Sequence, residues 1–200
     1  MQDSEDRPSQ GGTQWRRFAA MMVPATAVAA AIVFGMANGA IAASFAVSGQ
    51  TFKVGASKLE GNGFKQYGGV VQEKDGKQHP VAVAEIADAK LHDLCQSVRV
   101  PDMPIVLTIN AGGGGEPATA KGLLIDMDSL AGDAEFKNIK IGRDATDLNA
   151  EAAPKSFGQS ADSVTIDGLQ QVSRSTSAAI FNLKGLKLQL KVGEAAKECF

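Results

Sequence analysis

Aromatic side chains are scarce in this chain: they make up 6% of its 200 residues, and its one Trp, Trp15, lies near the N-terminus. Extensive stacking platforms for bases or sugar rings are therefore not expected. Histidine is limited to His79 and His92, and cysteine to Cys95 and Cys199. No Cys-x-x-Cys occurs, and Cys95 with His92 falls short of a metal ligand set. Gly-x-Ser-x-Gly and Ser-x-x-Lys are missing. Gly112 to Gly115 is not followed by the Gly-Lys-Ser/Thr of a phosphate loop, and no Asp-x-Asp-x-Asp-Gly calcium loop is present. No cofactor and no metal are expected. A net charge of −2 lacks the basic excess that phosphate neutralisation requires, which argues against nucleic acid as a partner.

Charge is also absent between Arg17 and Lys53. That gap organises the chain. Residues 1–17 form a polar n-region ending in Trp15-Arg16-Arg17, and residues 18–43 an apolar signal core or membrane anchor. Residues 44–200 form one exported β domain. Ala40-Ile41-Ala42 has the small-x-small pattern of a signal peptidase site, so cleavage is expected at Ala42 or Ala43. Positive charge on the N-terminal side alone favours an N-in, C-out orientation. The uncharged stretch is longer than a usual signal core, so retention as a tether is the alternative. Arg16-Arg17 reads as a generic positive pair rather than a twin-arginine signal, because Ala19 and Ala20 stand where large apolar residues belong. The expected location is extracellular or on the outer face of the cytoplasmic membrane. Two cysteines in an exported domain pair most simply with each other, so a Cys95–Cys199 disulfide is expected.

Past the leader the apolar period is two. Phe45-Val47, Phe52-Val54, Val81-Val83, Ile105-Leu107-Ile109, Ile139-Ile141, Val164-Ile166 and Leu186-Leu188-Leu190-Val192 all alternate. Gly61-Asn62-Gly63, Gly68-Gly69, Asp75-Gly76 and Gly112 to Gly115 punctuate them. The fold class is all-β, mainly antiparallel, as a curved sheet or a sandwich. Glu85 to Leu94 fits a helix or a strand followed by a turn equally well. A pattern of apolar-x-apolar-x-x-Leu recurs from Ile125, Val164 and Phe181, as if a bend returned each Leu to the core. Residues 141–160 lose the alternation and read as a long surface loop; Ala111 to Ala120 reads as a second flexible connection.

For chemistry, the residues that can be assembled into a hydrolytic set are Ser160, His92 and Asp162. Ser160 and Asp162, two apart on a strand, share a face. Asp126 with Asp128 and Asp144 with Asp147 are carboxylate pairs best read as solvated outer-face acids. Phe181, Leu183, Leu186, Leu188 and Leu190 on a concave sheet face are suited to a lipid or sterol tail, or to the core itself. An apolar lipid or a membrane is thus the expected partner.

Several stretches carry a resemblance over nearly the whole chain. They are Trp15-Arg16-Arg17-Phe18, Met21-Met22-Val23-Pro24, Gly39 to Phe45, Phe64-Lys65-Gln66-Tyr67-Gly68, His79-Pro80-Val81-Ala82-Val83, Leu94-Cys95-Gln96-Ser97 and Glu198-Cys199-Phe200. Together they resemble a family of actinobacterial, Streptomyces-type exported envelope proteins whose members are often labelled cholesterol esterase. The resemblance implies an envelope location, a carboxylic-ester hydrolase acting on steryl esters, and a small multi-span membrane protein as partner. It supplies no catalytic motif for numbered positions here. The apolar β surface makes binding or handling of an apolar lipid at the outer membrane face the expected function. Steryl-ester hydrolysis, raised by the resemblance, is the alternative, and a structural role in a membrane complex the second alternative.

Overall fold

Inward and outward side chains alternate here over stretches far longer than an ordinary strand. The computed structural model describes residues 50–73 and 76–200, together with the backbone of Ala43–Ala46. The n-region, the leader through Ala42, Val47 and Asp75 of the Asp75-Gly76 pair lie outside the described residues. The strands are Ala43–Ala46 (β1), Phe52–Gln72 (β2), Gln78–His92 (β3), Leu94–Arg99 (β4) and Ile105–Ala111 (β5). Ala118–Lys137 (β6), Lys140–Asp144 (β7), Phe157–Ala178 (β8), Ile180–Asn182 (β9) and Lys187–Val192 (β10) follow. Among the described residues these form one ten-stranded antiparallel sheet.

The ten strands are segments of four ribbons laid down in chain order. The first is β1 with β2, the second β3 with β4, the third β5 to β7, and the fourth β8 to β10. Each ribbon pairs with the next: β2 with β3 and β4, β3 with β6, β4 with β5, and β6 with β8. The fourth then returns to the first, with Phe52 opposite Ser173 and Tyr67 opposite Gly158. The sheet therefore closes on itself, and its interior replaces the space between two layers. β8, at 22 residues, would reach about 70 Å if straight, well beyond the roughly 40 Å breadth of a domain this size. It has to coil. Register shifts between β6 and β8 at Asp126/Met127, Met127/Ser129 and Ala131/Asp133 mark where it bends.

Asp93, with φ of 50°, makes the break between β3 and β4. Its carboxylate accepts from Ser57 Oγ at 2.7 Å, and its N–H donates to Gly112 O at 2.9 Å. Glu85 to Leu94 is thus strand and turn, not helix. The pattern expected to bend a Leu inward does so at Val164-Ile166-Leu169, where all three are buried. From Ile125 and Phe181 it fails, because Leu130 and Leu186 point to solvent. The expected long loop is shorter than 141–160: β7 extends to Asp144 and β8 begins at Phe157.

The main core fills the closed part, with Phe52, Leu59, Met127 and Leu169 among its most buried members. The cavity near Phe181, Leu91 and Thr176 amounts to about 20 Å³, room for a single water. A smaller cluster of Tyr67, Val81, Val83, Ala145 and Leu148 lies under the β7–β8 connection.

The second, third and fourth ribbons run on past the closed part as β4, β5 and β10. One face of this overhang is covered by the C-terminal tail. Cys95 is disulfide-bonded to Cys199, and Cys199 N donates to the buried Ser97 Oγ at 3.0 Å. Lys53 Nζ donates to the main-chain oxygen of Phe200 at 2.8 Å and lies 5.2 Å from its ring centre.

Candidate functional site

The proposed hydrolytic residues are placed by register. His92 stands opposite Lys58 on β2, whereas Ser160 stands opposite Lys65 on the same strand. Seven residues along a strand is about 23 Å, so His92 and Ser160 are not brought together. His92 Nε2 lies 3.2 Å from Glu60 Oε2, and Asp162 accepts from Asn138 Nδ2 at 2.7 Å. His79 Nε2 lies 2.8 Å from Glu73 Oε1, close enough for an ion pair although its direction does not make a hydrogen bond. Glu73 in turn faces Arg174, whose guanidinium donates twice to Asp128, at 2.7 and 3.0 Å. Asp126 accepts from Ser175 Oγ. Asp144 caps the short turn at Ala145–Asp147, accepting from Thr146 Oγ1 and N. These bonds, with one from Lys155 N, hold its carboxyl below the usual carboxylate range. The carboxylate pairs thus serve the sheet and its turns.

A polar cluster that the sequence does not announce ties the β7–β8 connection to the sheet. Tyr67 Oη donates to Glu85 Oε1 at 2.6 Å, and Asn149 Nδ2 donates to both, at 2.8 and 2.7 Å. Lys65 Nζ donates to Leu148 O and lies 3.6 Å from Glu85 Oε2. Burial raises Tyr67 to about 12, reinforced by the hydrogen bond to Glu85 and by that carboxylate's charge. Burial also acts to raise Glu85, yet the bonds from Tyr67 and Asn149 and the charge of Lys65 outweigh it, and its pKa is lowered. Every charge here is matched inside the cluster, which suits it to holding a loop in place.

The strongest departure from an ordinary soluble surface is on β10. The core-side face of β2 continues across the overhang through the row Val54, Gln96, Ile109 and Leu188. Val54 is 8% exposed and Ile109 9%, but Leu188 is 62% exposed. One row further on, Val98 and Leu107 lead to Leu190, 63% exposed. Leu186 and Val192 extend the same alternation and are also exposed. An interior face thus emerges into solvent where the closed sheet ends. Of the five residues expected to contact a lipid tail, Phe181 and Leu183 pack against the main core, while Leu186, Leu188 and Leu190 form this strip. Lys184, Lys187 and Lys191 lie along the same segment. A covered face would have looked the same in the sequence, because alternation records a face and not its neighbour.

Residues 48–200 match the model of a protein family described as a Family of unknown function (DUF6230), and the chain belongs to that family. No curated protein and no solved structure matches the chain.

Proposed function

We propose that this member of a family without an assigned activity is an exported envelope protein that engages membrane lipid through the apolar strip of β10. The observation that carries the reading is the core-side sheet face left bare at Leu186, Leu188, Leu190 and Val192. Monomeric soluble domains rarely leave such a contiguous strip uncovered. The cavity beside Phe181 in the closed part, about 20 Å³, is too small for an acyl or sterol tail, which favours an external contact.

Charge favours an anionic lipid surface over a second copy of the chain. Lys187-Leu188-Gln189-Leu190-Lys191 reads the same in both directions. Antiparallel self-pairing centred on Gln189 would set Lys187 against Lys191 twice. Like charges directly opposite destabilise a strand pair, and edge lysines are a standard guard against it. The same lysines attract anionic headgroups, by about 1 kcal/mol each near such a surface. Four side chains already partly exposed would add about 1 kcal/mol each on entering an apolar phase. The apolar part alone corresponds to a dissociation constant of about 1 mM. Contact of this strength is reversible and gains much from a tether, which a retained leader would provide. The Cys95–Cys199 disulfide suits an oxidising compartment outside the cytoplasm.

The test uses the lone Trp of the sequence. In the full chain carrying Trp15→Phe and Leu190→Trp, the indole is expected to shift to the blue with vesicles containing phosphatidylglycerol. Brominated acyl chains should quench it, and adding Leu188→Asp should abolish both effects. An indole at position 190 that stays water-exposed on vesicles to which the protein is bound would overturn the reading.

A further inference from the structure

The outer wall of the closed sheet carries a groove of about 620 Å³, on strands β2, β3, β6, β8 and β9 and apart from the β10 strip. Its cause is in the row beneath. Ala120, Ala89 and Gly61 are register partners that point inward, and they are among the smallest side chains available. A Cβ at Gly61 would lie 2.7 Å from Ile86 Cγ2 and 3.2 Å from Val164. The wall sinks toward the core at this point because nothing holds it out, and the outer face becomes concave.

The outward side chains over that depression form two rows. One runs Thr119, Lys90, Glu60, Thr165; the next runs Lys121, Asp88, Asn62, Ser163, Lys137. Of the two acids in these rows, Asp88 faces Lys121 at 3.3 Å, and Glu60 lies 3.2 Å from His92 Nε2 and opposite Lys90 in the register. Among the described residues neither Lys90 nor Lys137 has a carboxylate oxygen within 4.0 Å of its ammonium, although Glu60 is the register partner of Lys90. Hydroxyl and amide groups of Thr119, Thr165, Ser163 and Asn62 line the space between the two lysines and make no side-chain hydrogen bonds among the described residues. From β3 to the far end of β6 is three strand spacings, so the two cations lie about 15 Å apart measured along the sheet. Among the described residues no aromatic ring lines the groove, which disfavours stacking of a neutral sugar.

We propose that this groove binds an anionic, hydroxyl-rich oligomer, with Lys90 and Lys137 each meeting one of its anionic groups. The hydroxyl and amide side chains between them receive the ligand's hydroxyls. A sugar-acid chain and a polyol-phosphate chain share this chemistry. A volume in the range of ordinary ligand sites and a span of about 15 Å along the sheet between cations fit three or four repeating units.

Calorimetric titration of the full chain at low salt separates the possibilities, with tetragalacturonate, a glycerol-phosphate tetramer, maltotetraose and inorganic phosphate as probes. One or both anionic tetramers should bind, and the one that binds names the source. Maltotetraose should not bind, and inorganic phosphate should compete only weakly. Lys90→Glu with Lys137→Glu should weaken binding by tenfold or more and flatten its salt dependence. Asn62→Ala should weaken binding while keeping the salt dependence. Lys140→Glu, outside the two rows, should leave it unchanged. All these positions except Asn62 are exposed lysines, and circular dichroism checks the fold of each variant. Failure of both tetramers to bind would overturn the proposal. So would unchanged binding in the double lysine variant, or inorganic phosphate competing as well as the tetramers.

Discussion

Removal of the Cys95–Cys199 bridge is the perturbation whose size follows most directly from the structure. The two cysteines are 104 residues apart, so the bridge closes a loop spanning about half the chain. In the chain-entropy treatment such a loop restricts the unfolded ensemble by about 4.7 kcal/mol. The last three residues carry the tail's other anchors as well. Glu198 faces Lys53 and Arg99, each at 3.4 Å, and Cys199 N donates to Ser97. Those ion pairs are partly solvated and add about 1 kcal/mol together at most. The variant Cys95→Ala with Cys199→Ala should therefore lose about 4–6 kcal/mol. With a urea slope of about 2 kcal/mol/M, its midpoint should fall by about 2–3 M. Its melting temperature should drop by about 10–20 °C. Lys53→Met and Arg99→Met, which weaken the tail's ion pairs and keep the loop, should each move the midpoint by less than about 0.5 M. A midpoint fall under about 1 M in the double cysteine variant would refute the loop argument. So would a lysine variant matching the cysteine variant, since the tail contacts would then outweigh chain closure.

Two further outcomes follow from the polar cluster and from one turn. Tyr67 is the chain's single tyrosine, so tyrosinate absorbance reads it alone, and its midpoint should lie near 12. Because the folded value is raised, its stabilisation is complete below pH 10 and is lost as pH rises through 12. That loss is at most about 3 kcal/mol. Glu85 is shifted the other way: its contribution is present above the ordinary carboxylate range and is lost as pH falls through the lowered folded value. Glu85→Gln should flatten the acid limb of stability and Tyr67→Phe the alkaline limb; a tyrosinate midpoint near 10 would show that the cluster does not form. At Gly112, φ is +72° and an added Cβ would fall 2.6 Å from both Ala118 N and Leu91 O. Backbone on both sides cannot yield, so Gly112→Ala should destabilise by about 2–4 kcal/mol in urea melts, and a change under about 0.5 kcal/mol would refute the clash.

Much of the strand inventory is legible in the sequence, because period-two alternation at Val81-Val83, Ile105 to Ile109 and Val164-Ile166 directly encodes a half-buried strand. The Cys95–Cys199 pairing is legible for a simpler reason, that each has one possible partner. Less visible is the joining of strands into ribbons. Gly61-Asn62-Gly63 and Gly68-Gly69 look like breaks but lie inside β2, where pairing with β3 and β8 around Gly61 and with β3 at Gly68-Gly69 overrides weak local propensity. Around Glu85 to Leu94, Ala84, Ala87 and Ala89 suit either periodicity, and the decision rests with Asp93 and its bond to Gly112. The polar cluster was beyond reach from spacing, since Tyr67 finds Glu85 18 residues away and Asn149 82 away. For Ser160 and His92 the sequence offers residue types without distances. Their separation is set by the closure of the sheet.

That closure also sets an order of events. The first three ribbons can zip as successive hairpins while the chain is being made, each closing a short connection. The first ribbon, however, acquires its second partner only when the fourth exists, because Phe52 waits for Ser173 and Tyr67 for Gly158. Until then β2 presents an open edge, with the hazard of misassembly that open edges bring. Joining ends so distant in sequence is a slow step for any chain. Folding should therefore finish only after the last ribbon is synthesised, and a chain stopped short of Phe157 should aggregate rather than yield a smaller stable domain.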